Sequence, residues 1–276
     1  MSTTFAARIH EAQRSSGSLV CVGLDPDLAL LPAEIAARPA PLLEFNRRVV
    51  DATADLAAAY KPQIAFYSAL GLEAELVQSI RYIRERAPRA LIILDSKRGD
   101  IGNTATAYAA EAFDRYGADA VTVNPYMGED SIRPFIQWDH RGAILLCRTS
   151  NPGARDFQDL CVDGLPLYRH VAARAAQFWN AKRNLMLVVG ATHPLEMAAL
   201  RAAHPDLPFL VPGIGAQGGD LAQVLAAGLD SEGAGLLVNS SRGIIYAAGG
   251  SPDGIRAAAL QLHTAINAGR QSLRPR

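Results

Sequence analysis

Three cysteines are all that the 276 residues contain, and Cys21, Cys147 and Cys161 share no metal-ligand spacing. A sparse, odd count argues against a secreted disulfide framework and predicts a reducing, cytoplasmic setting. No apolar stretch reaches the ~20 residues that a membrane span needs. The opening MSTTFAARIHEAQRSSGS has no apolar signal core, so a soluble protein is expected. Neither sign of charge is in excess: Lys plus Arg and Asp plus Glu number 27 each. That balance gives no global field to recruit nucleic acid or an anionic membrane, so a charged site must come from placement. The six histidines (10, 140, 170, 193, 204, 263) have no ligand spacing, which leaves metal chemistry without support. Neither G-x-x-x-x-G-K-[ST] nor G-x-S-x-G occurs. Linkers rich in Pro or Ser are also missing, and residues 1–276 read as a single domain.

What the chain has in quantity is apolar residue, 49% of the total, set out in short runs. LVCVGL (19–24), QIAFY (63–67), ALIIL (90–94), AVTV (120–123), AILLC (143–147), LMLVV (185–189), FLVP (209–212) and GLLV (235–238) each precede helical material. Leu42, Phe45, Val49 and Leu56 fall at near-helical steps after the first run, and Leu72, Leu76, Ile80 and Ile83 after the second. Strands alternating with helices predict a parallel sheet, because parallel strands need crossover connections. Eight such units fit an α/β fold, a (β/α)8 TIM barrel. An open doubly wound sheet remains the alternative, since counting units does not prove closure. The longest excursions, 25–41 and 149–164, both follow strands, on the face where barrel active sites sit. On a barrel, Asp25, Lys61, Asp95, Asn124, Ser150, Gln217 and Arg242 would converge on one mouth.

The third run continues as LIILDSKRGDIGNTA (91–105), a buried-looking strand that ends in alternating charges. Side chains alternate across a strand, so Asp95 and Lys97 are expected on one face with Ser96 turned away. Lys61, from the neighbouring strand, would reach the same region. A carboxylate between two ammonium groups keeps all three charged, each contact contributing about 4 kcal/mol at roughly 4 Å and an effective dielectric near 20. Charged lysines in a dry pocket stabilise a developing anion and then donate a proton to it. The plainer reading is a structural ion pair, with Arg98 a solvated or packing residue. GIGAQG (213–218) matches a dinucleotide fingerprint, but the required acid does not close the next strand, so a nicotinamide site is rejected. Glycines there, and around Arg242 in VNSSRGIIY (238–246), instead suit a phosphate held by loops after strands 7 and 8. Arg242 would clamp phosphate oxygens and Gln217 would donate an amide hydrogen.

DSKRGDIGNTA resembles the D-x-K-x-x-D signature of orotidine 5′-monophosphate decarboxylases, in their longer bacterial branch. VGLDPD (22–27), YKPQIAFY (60–67), NPYMG (124–128), TSNPGA (149–154), VPGIGAQGGD (211–220) and NSSRGIIY (239–246) resemble family segments in family order. The resemblance implies a cofactor-free, metal-free homodimer with shared active sites that converts orotidine 5′-monophosphate (OMP) to UMP and CO2, the last step of UMP biosynthesis. It implies a Lys61-Asp95-Lys97-Asp100 network in which Asp100 serves the partner chain and Lys97 protonates C6 of the pyrimidine. Asp95 would face the departing carboxylate, and Asp25 and Lys61 the ribose. Ile101 and Thr104 would line the partner's site, Ser150 would address the pyrimidine, and Pro212, Gln217 and Arg242 complete the substrate-binding set. The nearest rival is a metal-dependent sugar-phosphate enzyme on the same barrel, against which Lys61 argues, since a cation would prefer an acid there. A non-catalytic phosphate-binding barrel is the other rival.

Overall fold

The structure, a computed structural model, describes residues 4–214 and 218–273. β1 (Val20–Leu24), β2 (Ala59–Pro62), β3 (Leu91–Arg98), β4 (Ala120–Val123), β5 (Gly142–Arg148), β6 (Leu185–Val189), β7 (Phe209–Val211) and β8 (Leu236–Ser240) are all parallel. Each pairs with its neighbours in sequence, and β8 returns to β1, so the sheet closes. The fold is the expected (β/α)8 barrel, and the open sheet is excluded. Helix α1 (Phe5–Ser16) precedes the barrel; α2 (Pro41–Thr53), α3 (Glu73–Arg86), α4 (Gly102–Ala110), α5 (Leu167–Arg174), α6 (Pro194–Ala203), α7 (Leu221–Gly228) and α8 (Pro252–Leu273) surround it. After β4 the crossover has only the single turn Glu129–Ile132 between 3-10 turns.

One expected strand is displaced. QIAFY does not form the second strand: β2 is Ala59–Pro62, and Ala65–Ser68 form a helical turn. Pro62 has no amide to donate and ends the ladder, leaving Gln63 with one isolated bridge to Asp95. Lys61 therefore lies inside a strand that its own charge disguises.

Strand alternation divides the apolar residues into two cores. Val20, Val22, Tyr60, Ile92, Val121, Leu145, Leu187, Val211 and Val238 face outward to the helices. Cys21, Ala59, Ile93, Ala120, Ile144, Met186, Leu210 and Leu237 fill the barrel interior. Two residues further along the strands, the same inward face carries Gly23, Lys61, Asp95, Thr122 and Asn239. Within one layer the interior changes from apolar to polar. That transition occurs at the C-terminal ends, the end where TIM barrels place their chemistry.

The opposite end is sealed by α1, whose N-terminus is capped by the Thr4 hydroxyl. Phe5, Ile9 and Ala12 join the interior cluster, each almost fully buried. Gly142 at the start of β5 leaves room for the Phe5 ring, which a Cβ there would overlap. Arg8 ties the helix to the buried Asp119 at 2.5 Å, and Gln13 Nε2 donates to the Leu236 carbonyl at 2.8 Å. Phe5→Ala is expected to destabilise the protein by about 3–5 kcal/mol in urea unfolding, since it opens a cavity beneath the barrel. A loss below about 1 kcal/mol would show that α1 is not part of the core.

Candidate active site

Asp95 is the centre of the polar layer. Lys61 Nζ lies 2.8 Å from Oδ2 and Lys97 Nζ 2.7 Å from Oδ1, while the Thr122 hydroxyl meets Oδ1 at 2.9 Å. Lys61 and Asp95 are 5% and 7% exposed, whereas the Lys97 side chain is 47% exposed and faces the mouth. Burial alone would raise the Asp95 carboxyl, but Lys61 and Lys97 outweigh it and hold the group well below the usual carboxylate range. Burial likewise presses on the Lys61 ammonium, and Asp95 with Asp25 lift it above the ordinary lysine range. Lys61 thus stands as a buried cation against two carboxylates, which disfavours a metal ion in its place. Cys21, deeper in the barrel, has its thiol pushed up to about 12 by burial and is an inert packing group.

Lys97 reaches Asp95 by a route that simple alternation does not describe. Its φ is +47°, a left-handed conformation that is uncommon for a residue with a side chain. The β3–β4 register shifts between Leu94 and Arg98, and the Ser96 and Lys97 amides both donate to Thr122 Oγ1 at 2.9 Å. The shared face of Asp95 and Lys97 is therefore produced by a bulge at the strand end. Arg98 turns away: it pairs with both Glu111 carboxylate oxygens at 2.8–3.1 Å and lies over the Tyr108 ring.

The other predicted residues ring this centre. Asp25 follows β1, half-buried, with Oδ1 enclosed and unpaired among the described residues. Tyr246 fixes that loop, accepting from the Asp27 amide at 2.6 Å and donating to the Asp25 carbonyl at 3.4 Å. Ser150, after β5, borders a cavity of about 360 Å³ shared with Arg148, Asn151, Arg155, Thr192 and His193. Gly190 approaches it so closely that a Cβ there would lie 2.9 Å from the Ser150 Cβ. Pro212 follows β7, and its carbonyl accepts from the Ala191 amide at 2.9 Å. Arg242 opens the short helix Arg242–Ile245 and is exposed; Gln217 lies outside the described residues. Asp100, Ile101 and Thr104 are not drawn into the network within one chain. Asp100 accepts from the Ile101 amide at 2.8 Å and forms no ion pair among the described residues, while Ile101 is 51% exposed and Thr104 is exposed.

A family model described as Orotidine 5'-phosphate decarboxylase / HUMPS family matches residues 18–254. The chain belongs to that family. The orotidine 5'-phosphate decarboxylase of Cellvibrio japonicus (strain Ueda107) is 52% identical over 271 residues, 97% of this chain and 99% of that relative. The structure of Leishmania donovani OMP decarboxylase superposes with a TM-score of 0.85 at 42% identity, covering 97% of this chain and 99% of the other. Leishmania donovani UMP synthase superposes at 0.87 with 44% identity, covering 97% of this chain and 57% of that longer one.

In the orotidine 5'-phosphate decarboxylase / HUMPS barrel seen here, three residues lie beside the candidate site to which the sequence reading gave no role. Thr122 is the lone hydroxyl in the apolar run AVTV and has the parity of the barrel interior, a signal that was available. Asn239 shares that parity two positions beyond Leu237, and its Oδ1 is buried without a partner among the described residues. Tyr246 ends the segment NSSRGIIY, but its contact with the loop after β1 left no local signal, because only the closed barrel brings the two together.

The Asp95 shift fixes a pH dependence. A depressed carboxylate contributes stability above its unfolded value of about 3.9, lost as pH falls through the folded value. The raised Lys61 ammonium contributes below its unfolded value of about 10.4, lost only as pH rises through the higher folded one. Asp95→Asn is therefore expected to cost about 3 kcal/mol in urea unfolding, by stranding Lys61. The deficit should stay level between about pH 5 and 9 and shrink below about pH 4. A deficit unchanged down to about pH 2 would mean that Asp95 does not carry the charge.

Proposed function

We propose that this chain is an orotidine 5′-monophosphate decarboxylase, forming UMP and CO2 in the last step of UMP biosynthesis. The observation that carries the reading is the division of Asp95 between two lysines, one buried and neutralised, the other half-exposed at the mouth. The similarity to named decarboxylases over nearly the whole chain supports the substrate.

Loss of CO2 breaks the bond from C6 to the carboxylate and leaves its electron pair on C6, in the ring plane and outside the π system. Nothing in the pyrimidine delocalises that pair, so a fixed cation must stabilise it. Lys97 Nζ is that cation, and it then gives a proton to C6, forming UMP; solvent reprotonates the amine. Asp95 holds Lys97 in place and stands against the substrate carboxylate, while Lys61 keeps Asp95 ionised. Asp25 and Lys61 meet the ribose, and Ser150 the pyrimidine. Pro212, Gln217 and Arg242 enclose the phosphate end, whose binding offsets the cost of desolvating the charged centre. The reaction needs neither cofactor nor metal.

The chain acts as a single barrel domain in a cytoplasmic homodimer, with Asp100, Ile101 and Thr104 serving the partner's site. The exposure of Ile101 and Thr104 in one chain, and the lack of an ion pair for half-buried Asp100 among the described residues, support that assignment. The free, exposed Cys161 suits a reducing compartment.

Loss of orotate absorbance on mixing purified protein with orotidine 5′-monophosphate tests the activity, with EDTA expected to have no effect. Absence of turnover would refute the proposal, and turnover abolished by EDTA would favour a metal enzyme. Lys97→Ala is expected to lower kcat by at least about 10³-fold with an unchanged circular dichroism spectrum. Near-normal turnover would remove Lys97 from the role of proton donor. Co-assembled Lys97→Ala and Asp100→Ala chains should recover activity that neither has alone, because a mixed dimer holds one site with both residues. If Asp100 serves its own chain, mixing restores nothing.

A further inference from the structure

We propose that Thr122 is a positioning residue whose single hydroxyl sets both the orientation of Asp95 and the backbone turn that presents Lys97. The inference rests on the decarboxylase reading and adds to it a group outside the charged network. Thr122 is 1% exposed, on the inward face of β4, two residues beyond Ala120 of the apolar interior. Three groups meet its Oγ1, each at 2.9 Å: the Ser96 amide, the Lys97 amide and Asp95 Oδ1.

Valence settles the direction of all three bonds. A hydroxyl has one hydrogen to donate and two lone pairs to accept with. Both amides are donors only, so they take the two lone pairs, and the hydroxyl hydrogen is left for Asp95. The carboxylate side agrees, because an ionised Asp95 is an acceptor only. Thr122 is thereby saturated, and no other orientation of its hydrogen satisfies the cluster.

The two amides are those that the bulge takes off the β3–β4 ladder, where the register shifts between Leu94 and Arg98. Thr122 replaces the missing carbonyl acceptor for both. This is what stabilises Lys97 at a φ of +47°, a conformation that costs about 1–2 kcal/mol for an L-residue. Asp95 Oδ1 then receives Lys97 Nζ at 2.7 Å beside the hydroxyl. The carboxylate plane and the lysine backbone are fixed by one oxygen. Its β-branched side chain, confined to few rotamers and fully packed, leaves that oxygen little freedom to move.

The test compares Thr122→Val, which keeps shape and branching but removes the hydroxyl, with Thr122→Ser, which keeps the hydroxyl. With orotidine 5′-monophosphate as substrate, Thr122→Val is expected to lower kcat roughly 10- to 100-fold, with KM and the affinity for UMP within about threefold of wild type. Thr122→Ser should recover kcat to within about fivefold of wild type, separating the hydroxyl from the packing. A purely structural role would instead lower the folded fraction, seen by thermal unfolding, and leave kcat per folded molecule unchanged. Wild-type kcat in folded Thr122→Val, or an equal loss in Thr122→Ser, overturns the proposal. Should Thr122→Val not fold, Thr122→Cys, with its weak thiol donor, takes its place against the same two outcomes. Failure of the wild type to turn over the substrate would instead refute the decarboxylase reading itself.

Discussion

Asp95 is ionised inside a barrel because two ammonium groups reach it, and neither its charge nor the buried one of Lys61 would persist without the other. Taking a carboxylate and an ammonium out of water costs several kcal/mol each, and a buried pair roughly breaks even at best. Stability alone therefore does not explain the arrangement, since well-packed apolar residues would serve the core as well. What the triad provides is a cation whose partner is interchangeable. Lys61 is buried and committed, but Lys97 is half-exposed and bonds only one oxygen of Asp95. In the proposed reaction, a negative charge developing at the mouth would draw on Lys97 while Lys61 continues to neutralise Asp95. The site thus needs no solvent reorganisation to meet a new anion, which is the source of electrostatic catalysis.

The barrel makes this possible through the two-residue period of its strands. The inward face runs from the apolar floor, where Phe5, Ile9 and Ala12 of α1 meet Cys21, Ala59 and Ile93, to a polar layer one step higher. Every member of that layer comes from a different strand, so its geometry is set by the closed sheet and not by one flexible loop. Lys61 is on β2, Asp95 on β3, Thr122 on β4 and Asn239 on β8. The sealed floor and the dense interior supply the stability that a layer of buried charges does not.

How much of this can be read from the residues depends on how local the cause is. β4 and β6 coincide with AVTV and LMLVV because each is a short, β-branched or aliphatic run that starts right after a polar residue, Asp119 or Asn184. β2 was displaced because a lysine and a proline interrupt its apolar character, although that lysine is buried only by virtue of Asp95 on the next strand. The Asp95–Lys97 pairing was expected from alternation, yet it is produced by a bulge that depends on a hydroxyl 25 residues away. Helix α1 was passed over as a segment without a signal core, and its three buried apolar residues, Phe5, Ile9 and Ala12, gain meaning only beneath a closed barrel. The placing of Asp100, Ile101 and Thr104 rests on resemblance, since the charges of one chain do not demand a partner.

Positions without side chains complete the mouth. A Cβ on Gly23 of β1 would collide with the Ser241 hydroxyl, and one on Gly190 would press on Ser150. Both glycines lie just under loops that carry residues assigned to the substrate, Arg242 in one case and Ser150 in the other. Gly23 is on the inward face, level with Lys61 in the β1–β2 register. A side chain there would lift the loop after β8 away from the charged centre. Gly190 plays the same part between β6 and the loop after β5. The lysines and the aspartate thus set the charge of the site, and these two absent side chains let the loops after β8 and β5 pack closely beside it.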